Sequence, residues 1–108
     1  MTQVRLRFLG TGNAFNTDGR GSQSLWVEPR GGEPFLVDAG PTALAAMARL
    51  RLEPGNLGRL FLTHLHGDHI AGWPFIVLYD VFAARRTRPF AIFGPAGSRD
   101  PLPALARL

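Results

Sequence analysis

Residues 59–69 read Arg59-Leu60-Phe61-Leu62-Thr63-His64-Leu65-His66-Gly67-Asp68-His69. The stretch opens on a short apolar run, residues 59–62, which predicts a β-strand. The run is followed at once by all three histidines of the chain and an aspartate, within a window of six residues. Because ligands of open α/β sheets bind outside the carboxyl ends of the strands, this sequence predicts a functional site at the end of the strand.

The polar window holds four candidate metal ligands, namely His64, His66, Asp68 and His69. Side chains alternate along a strand, so strand-like geometry would send residues 64, 66 and 68 to one side. Gly67 has no side chain to block a bend, and a bend there would turn His69 toward the same cavity. Imidazole suits zinc, iron and manganese, and a carboxylate extends the choice toward harder ions. The alternative is a set of solvent-facing loop or capping residues, but the clustering of all three histidines favours a metal site.

The composition is that of one globular domain. The chain has 108 residues, of which 45% are hydrophobic and 19% are charged, and this balance fits a single modest core. Cysteine is absent, which excludes disulfides and thiolate chemistry and leaves His, Asp and Glu as metal ligands. The formal net charge is +4, and every basic residue is an arginine. A mildly basic surface is compatible with nucleic acid or phosphorylated substrates without requiring either.

The hydropathy pattern argues against a membrane protein. The longest uncharged apolar stretch, Ile70 to Tyr79, has about ten residues, roughly half of what a bilayer requires. Arg5 and Arg7 interrupt the only early apolar run, which argues against a signal peptide. We therefore expect a cytoplasmic protein without a membrane partner.

Strand and helix patterns alternate along the chain, which predicts an α/β layered fold. Apolar runs predict strands over 4–9, 24–28, 35–37, 59–62 and 90–93. A helix is expected from Pro41 and Thr42 onward, a second after Pro74 and a short third after a capping Asp100. The core face of the first helix is predicted at Leu44, Met47, Ala48 and Leu52. The second helix is apolar on nearly every side and should either be buried or face a partner, and Trp73, Phe75 and Phe82 are expected in the core.

The order of these motifs resembles the metallo-β-lactamase fold superfamily. Residues 63–69 match its His-x-His-x-Asp-His signature. The segments 8–12 (Phe-Leu-Gly-Thr-Gly), 36–40 (Leu-Val-Asp-Ala-Gly), 67–74 and 93–97 are similar to the corresponding segments of its ribonuclease Z-like branch. The resemblance implies the N-terminal half of an αββα sandwich. It also implies that residues 1–108 are the N-terminal portion of one hydrolase domain, apparently truncated.

The resemblance also implies roles for individual residues. His64 and His66 would bind one zinc ion, and Asp68 and His69 a second, with manganese or iron as alternatives. Two cations of this kind lower the pKa of a water between them and stabilise an in-line displacement at phosphorus. Asp68 would also orient the nucleophile or accept its proton.

Three further assignments concern the surroundings of the metal ligands. Asp38 and Thr63 would lie behind the ligands, with Asp38 holding the histidine loop by hydrogen bonds. A simple turn or cap carboxylate is the alternative for Asp38. The loop Gly10-Thr11-Gly12-Asn13 is a candidate for substrate contact, and a plain connector is the alternative.

The function implied is that of a metal-dependent hydrolase. It is most similar to ribonuclease Z-like phosphodiesterases, endonucleases that process the 3′ ends of tRNA precursors. Alternatives are other hydrolases with the same motif, such as cyclic-nucleotide phosphodiesterases, arylsulfatases or thioesterases, or a catalytically incomplete metal-binding module. After His69 only Asp80 and Asp100 remain as acids, and no histidine follows. The family's later ligands and leaving-group acid are therefore missing, and we expect this chain alone to be inactive. A homodimer that completes the site is the alternative to a fragment.

Arg85, Arg86 and Arg88 form a short basic cluster behind the second helix. Compensation of charge at the helix end is favoured over an RNA-backbone patch. Few aromatic residues lie nearby, so base stacking is not indicated there.

Overall fold

The computed structural model describes residues 3–107 and contains one five-stranded sheet. The strands are β1 (Val4–Gly10), β2 (Ser24–Pro29), β3 (Phe35–Val37), β4 (Arg59–Phe61) and β5 (Ala91–Phe93). The helices are α1 (Ala43–Arg49), α2 (Gly67–Ile70), α3 (Trp73–Phe82) and α4 (Pro101–Leu105), with a 3₁₀ turn at Pro54–Asn56. All five predicted strands are present, each within one residue of its predicted bounds.

The strands lie side by side in chain order. The pairs β1–β2 and β2–β3 are antiparallel, and the pairs β3–β4 and β4–β5 are parallel. Val37 at the end of β3 is in register with Phe61 at the end of β4. The residues that follow these two strands, Asp38 and Leu62–Thr63, therefore leave the sheet at the same edge.

The helices α1 and α3 cover one face of the sheet. Trp26, Leu36 and Leu60 occupy successive positions in the strand register and are almost fully buried. The helices contribute the other buried members of this core, which include Ala43, Ala46, Met47, Trp73 and Ile76.

The predicted core face of α1 is partly wrong. Met47 is fully buried as expected, but Ala43 and Ala46 take the other inward positions and Ala48 is exposed. The helix is only seven residues long, so its entry from Pro41–Thr42 determines which face meets the sheet. Alanine at the contact allows the helix to lie close to the strands. Leu44 and Leu52 pack at the rim of the core.

The other face of the sheet carries a row of apolar side chains. Phe8, Leu25, Val37, Phe61 and Phe93 are aligned by the strand register. The two end residues of the row, Phe8 and Phe93, are 64% and 51% exposed, and the three between them are half-buried. One layer of helices on one face of a sheet is the arrangement expected of half an αββα sandwich.

Helix α3 is only half buried, so full burial, the first of the two expectations for it, is wrong, and a side that faces a partner stays a prediction. Trp73 and Ile76 lie in the core, but Phe75 and Phe82 are 56% and 75% exposed. Phe75 and Phe82 are therefore wrongly predicted as core residues. A helix that packs on one face of a sheet can bury only one stripe, whatever the composition of its other side.

Arg86 and Arg88 of the basic cluster after α3 form hydrogen bonds and ion pairs with other parts of the fold. Arg86 Nε donates to Asp80 Oδ2 over 2.8 Å, and an Arg86 Nη2 hydrogen bond goes to the carbonyl of Leu57. Arg88 pairs with Glu33. Burial raises the pKa of Asp80, and the neighbouring Arg86 guanidinium opposes that rise. These contacts join the end of α3 to the segment that enters β4.

Two remaining expectations concern helices. Asp100 stands at the N-cap position of α4, but its side chain makes no capping hydrogen bond. Within residues 3–107, none of the helices combines the length and the apolar character needed to cross a bilayer.

Close backbone contacts hold α2 against the segment after β3. Ala39 N donates to His69 O over 2.7 Å, and Gly72 N donates to Ala39 O over 2.9 Å. A Cβ on Gly72 would lie 2.2 Å from the carbonyl oxygen of Gly40. Glycine at position 72 is therefore required for the approach that brings His69 toward the end of β3.

Substitution of Gly72 tests this contact. Gly72→Ala should lower the free energy of unfolding by about 1–3 kcal/mol, the usual cost of overpacking, because its Cβ would meet rigid backbone. Gly67→Ala is the matched control, since nothing lies within 4 Å of a Cβ at position 67. Urea unfolding followed by circular dichroism measures both. Equal stability of the two variants would contradict the proposed packing.

Candidate metal centre

Asp38 is the first residue after β3 and is 5% exposed. Its backbone has φ +61°, the left-handed region, which aspartate tolerates better than most residues. The backbone amide donates to Phe61 O over 2.8 Å, and Ser24 Oγ donates to Asp38 O over 2.8 Å. Strained residues fixed by their surroundings often belong to functional sites.

The Asp38 carboxylate accepts three hydrogen bonds. Thr63 N donates to Oδ1 over 2.9 Å, and Thr63 Oγ1 donates to Oδ2 over 2.7 Å. His69 Nδ1 lies 2.8 Å from the same Oδ2 and is the third donor. One buried carboxylate therefore joins the end of β3 to the residues on both sides of the histidine loop.

The contact with Asp38 determines which nitrogen of His69 is free. A neutral imidazole has one N–H. In His69 this N–H is assigned to Nδ1, which donates a hydrogen bond to Asp38. Nε2 then presents a lone pair, and it lies 3.2 Å from Asp68 Oδ2. Two acceptors at this distance are stable only with a proton or a metal cation between them. The residues present therefore fit a metal ion at this position.

His64 is oriented by the same carboxylate through Thr63. His64 Nδ1 lies 3.0 Å from Thr63 Oγ1, whose own proton is donated to Asp38. The hydroxyl oxygen can then accept a hydrogen bond from Nδ1–H, and in that tautomer Nε2 of His64 carries the free lone pair. Partners of this kind fix the tautomer and ring orientation of metal-binding histidines.

Three of the four predicted metal ligands converge. One ligand atom each from His64, Asp68 and His69 lie within 4.8 Å of one another, and the ring centroids of His64 and His69 are 3.9 Å apart. His69 is buried, and the other two are half-buried. Two imidazole nitrogens and one carboxylate oxygen form a donor set that suits zinc and other divalent first-row metals.

His66 lies beside this cluster and outside it. Its ring centroid is 4.7 Å from that of His64, and its side chain is exposed. The predicted strand geometry for residues 64, 66 and 68 is wrong, because β4 ends at Phe61 and α2 begins at Gly67. A helical turn brings Asp68 and His69 to the site, since helix formation starts directly after the histidine loop.

The predicted substrate loop divides into two parts. Gly10 and Thr11 line a cavity of about 340 Å³ together with Asp38 and Thr63. Gly12 is buried and donates from its amide to Gly21 O over 2.8 Å. The exposed side chain of Asn13 makes hydrogen bonds within the loop. The first two residues therefore border the cavity, and the next two shape the loop.

Sequence reasoning missed two residues that support the centre. Ser24 fixes the carbonyl of Asp38, and Gly40 provides the space in which Ser22 and the backbone of Asp68 meet. The Asp-Ala-Gly sequence at 38–40 was the available signal for Gly40. No local pattern indicates that a serine in β2 contacts the end of β3.

The chain was compared with known families and proteins. The family model described as "Anti-Pycsar protein Apyc1" matches residues 4–102. Ribonuclease Z of Pyrococcus horikoshii is 37% identical over 95 residues, which are 88% of this chain and 30% of that protein. Zinc phosphodiesterase ELAC protein 1 of Bos taurus is 34% identical over 96 residues, 86% of this chain and 26% of that protein. The chain thus spans about a third of the length of the curated relatives it matches.

The chain is also similar in fold to solved structures. Human tRNase Z, short form (ELAC1), superposes with a TM-score of 0.81 at 32% identity, covering 96% of this chain and 39% of that chain. The metallo-β-lactamase fold protein YhfI from Bacillus subtilis superposes with a TM-score of 0.72 at 20% identity, covering 88% of this chain and 39% of that chain. The predicted fold class, the N-terminal half of a metallo-β-lactamase sandwich, is confirmed, as is the resemblance to the ribonuclease Z-like branch.

Removal of one acceptor from Asp38 should weaken metal binding. In Asp38→Asn the side-chain nitrogen cannot accept, so the hydrogen bonds from Thr63 and His69 cannot all be kept. We expect zinc affinity to fall about 10–100-fold, as is typical for residues that orient metal ligands. Competition with a chromophoric chelator measures this affinity.

Asp18→Asn is the control, because Asp18 is an exposed loop residue that pairs with Arg20. Zinc affinity of this variant should equal that of the unmodified chain. An Asp38→Asn variant that binds zinc as tightly as Asp18→Asn would show that Asp38 does not orient the ligands.

Proposed function

The chain belongs to the family described as anti-Pycsar protein Apyc1, and we propose that it is part of a ribonuclease Z-like, zinc-dependent phosphodiesterase. The observation that carries the proposal is the convergence of His64, Asp68 and His69 on one point, with Asp38 behind them. The names of the relatives, ribonuclease Z and zinc phosphodiesterase, support both the reaction and the metal.

The metal would be held by the ligands in two groups. His64 and His66 would hold one zinc ion, and Asp68 and His69 a second, with manganese or iron as alternatives. The His64 ring lies 4.7 Å from the His66 ring and 3.9 Å from the His69 ring, centroid to centroid, so the two groups would lie side by side. Zinc bound here would supply Lewis acidity toward the phosphoryl oxygens and lower the pKa of a water.

The protein's own groups would position the reaction. Asp68 is a half-buried member of the cluster, and its carboxylate would orient the attacking water or accept a proton from it. Asp38 and Thr63 would keep both His64 and His69 in the tautomers that leave Nε2 free. Gly10 and Thr11 would border the substrate, because they line the cavity next to Asp38 and Thr63.

The substrate we propose is an RNA phosphodiester, specifically the 3′ end of a tRNA precursor. The name tRNase Z of the superposed human protein supports this class. Other hydrolases share the ligand motif, so cyclic nucleotides, aryl sulfates and thioesters are the competing substrates in the test below.

We further propose that residues 1–108 form the N-terminal portion of one hydrolase domain in the cytoplasm. The exposed apolar sheet face and the coverage of about a third of each relative support this division. Assembly of a homodimer around the same centre is the alternative route to a complete site.

The test uses the intact protein that carries this chain, loaded with zinc. Cleavage is measured on a tRNA precursor with a 3′ trailer, a 3′,5′-cyclic nucleotide, an aryl sulfate and a thioester. We expect the tRNA precursor to be the preferred substrate. Asp68→Asn should lower kcat by about 10²–10⁴-fold, the usual contribution of a positioned acid or base. Preference for any of the other three substrates would overturn the ribonuclease assignment.

Two further experiments, one with a variant and one with residues 1–108 alone, test metal binding and the completeness of the site. His66→Ala should remove both metal and activity, and retention of zinc by that variant would count against His66 as a ligand. Residues 1–108 alone should hydrolyse bis-p-nitrophenyl phosphate very poorly. Robust turnover by a monomer of this chain would disprove the incomplete site.

A further inference from the structure

Ser24 is the first residue of β2 and is 2% exposed. Side chains alternate along a strand, so Ser24 shares the core face of β2 with Trp26. A buried hydroxyl in an apolar core is unfavourable unless it forms a hydrogen bond. Ser24 Oγ meets this requirement by donating to Asp38 O over 2.8 Å. The buried serine therefore contacts the residue that holds the candidate ligands.

The register of the sheet explains why this contact forms. Leu25 of β2 is paired with Val37 of β3, and the two strands are antiparallel. The next two residues in the same direction are Ser24 and Asp38. The φ of +61° at Asp38 turns the chain out of the β-strand conformation at this point. The side chain of Ser24 thus reaches the carbonyl of Asp38 where the pairing of the two strands ends.

The backbone of Asp38 is held by the strands on both sides of β3. Its amide donates to Phe61 O of β4 over 2.8 Å, and its carbonyl accepts from Ser24 of β2. Because the peptide groups before and after Asp38 are both held, the direction of its Cα–Cβ bond is held as well. The left-handed conformation is unfavourable for residues other than glycine, so such contacts are needed to keep Asp38 in it.

We propose that Ser24 is a positioning residue of the candidate metal centre and that it acts on zinc binding through Asp38. The inference rests on the zinc site of the proposed function and adds a residue from β2, a strand that carries none of the candidate ligands. A change in the backbone angles of Asp38 would move its carboxylate away from Thr63 and His69, whose hydrogen bonds to it span 2.7 to 2.9 Å. The hydroxyl of Ser24 therefore helps to keep Nδ1–H of His69 on Asp38 and Nε2 available for a metal.

Ser22, two residues earlier, provides a matched control. It is 1% exposed, and its hydroxyl forms hydrogen bonds with the side chain of Asn16 at 3.2 and 3.3 Å. Its Cβ faces Gly40, and alanine keeps that atom. Ser22→Ala therefore removes a buried hydroxyl from the same segment and leaves the hydrogen bond between Ser24 and Asp38 in place.

The first experiment measures the zinc affinity of the intact protein by competition with a chromophoric chelator. Ser24→Ala should lower the affinity about three- to tenfold, less than the roughly 10–100-fold typical of residues that contact the ligands themselves. Ser22→Ala should leave the affinity unchanged. Urea unfolding of the metal-free proteins measures the loss of stability in each variant. If Ser24→Ala is less stable but binds zinc as tightly as Ser22→Ala, the role of Ser24 is only structural and the proposal is wrong.

A double-mutant cycle tests whether Ser24 acts through Asp38. In the Asp38→Asn background the hydrogen bonds to Thr63 and His69 are already disturbed, so Ser24→Ala should change zinc affinity by less than about twofold. Independent effects would multiply instead. A full loss of about three- to tenfold in this background would overturn the route through Asp38.

NMR of the zinc-loaded protein reports on the hydrogen bond itself. The Nδ1–H proton of His69 should exchange with water faster in Ser24→Ala than in Ser22→Ala or the unmodified protein, because its hydrogen bond to Asp38 opens more often. Equal exchange rates in the three proteins would contradict the proposal.

The outcomes separate this inference from the function on which it rests. An unmodified protein that binds zinc but cleaves no phosphodiester would overturn the proposed reaction, and the zinc affinities of the variants would still decide the role of Ser24. An unmodified protein that binds no zinc would overturn both.

Discussion

The hydrogen bonds of the Asp38 carboxylate are the constraint on which the candidate centre depends. They join three elements of the fold: the end of β3, the loop after β4 and helix α2. The buried Nδ1–H of His69, left without its partner, would cost about 1–3 kcal/mol. The same hydrogen bonds also select the tautomer of His69. Because Nδ1–H donates to Asp38, Nε2 keeps its lone pair. The arrangement of the candidate ligands therefore depends on a single buried side chain.

The sheet makes this network possible through strand direction. Because β3 and β4 are parallel neighbours in register, Asp38 and Thr63 leave the sheet at adjacent positions, and a short side chain can bridge them. The candidate ligands Asp68 and His69 come from the first turn of α2, which the backbone contacts of Ala39 hold in place. Close packing of Gly40 and Gly72 is needed for these contacts, so the glycines contribute to the site without carrying any reactive group.

Sequence reasoning was most successful where the signal is local. The five strands follow from short apolar runs, and the ligand cluster follows from three histidines beside an aspartate. It failed where tertiary packing decides. Whether Phe75 of α3 is buried depends on how many layers surround the helix, and periodicity contains no information about that. The inward face of α1 depends on the angle at which the chain leaves Pro41. The histidine loop was predicted as strand-like because spacing alone does not show that β4 stops at Phe61.

The tautomers of the histidines illustrate a deeper limit of sequence reasoning. The identity of His64 and His69 is read directly, but which nitrogen is free depends on Thr63 and Asp38, the latter 31 residues before His69. Asp38 was predicted to hold the histidine loop, with a plain turn as the alternative. The structure places its carboxylate within hydrogen-bond distance of both Thr63 and His69. Only coordinates could supply the distances that define this route from carboxylate to imidazole.

The apolar sheet face and the candidate centre are physically linked. Phe8, Leu25 and Val37 belong to the uncovered row on the sheet, and they also line the cavity that contains Asp38 and Thr63. Anything that packs on this row must therefore close one wall of the same cavity. Burial of the row contributes about 25 cal/mol per Å² of apolar surface, so the energy that would cover the sheet would also shape the space beside the metal ligands. Covering this row and shaping the cavity beside Asp38 and Thr63 would therefore involve the same side chains.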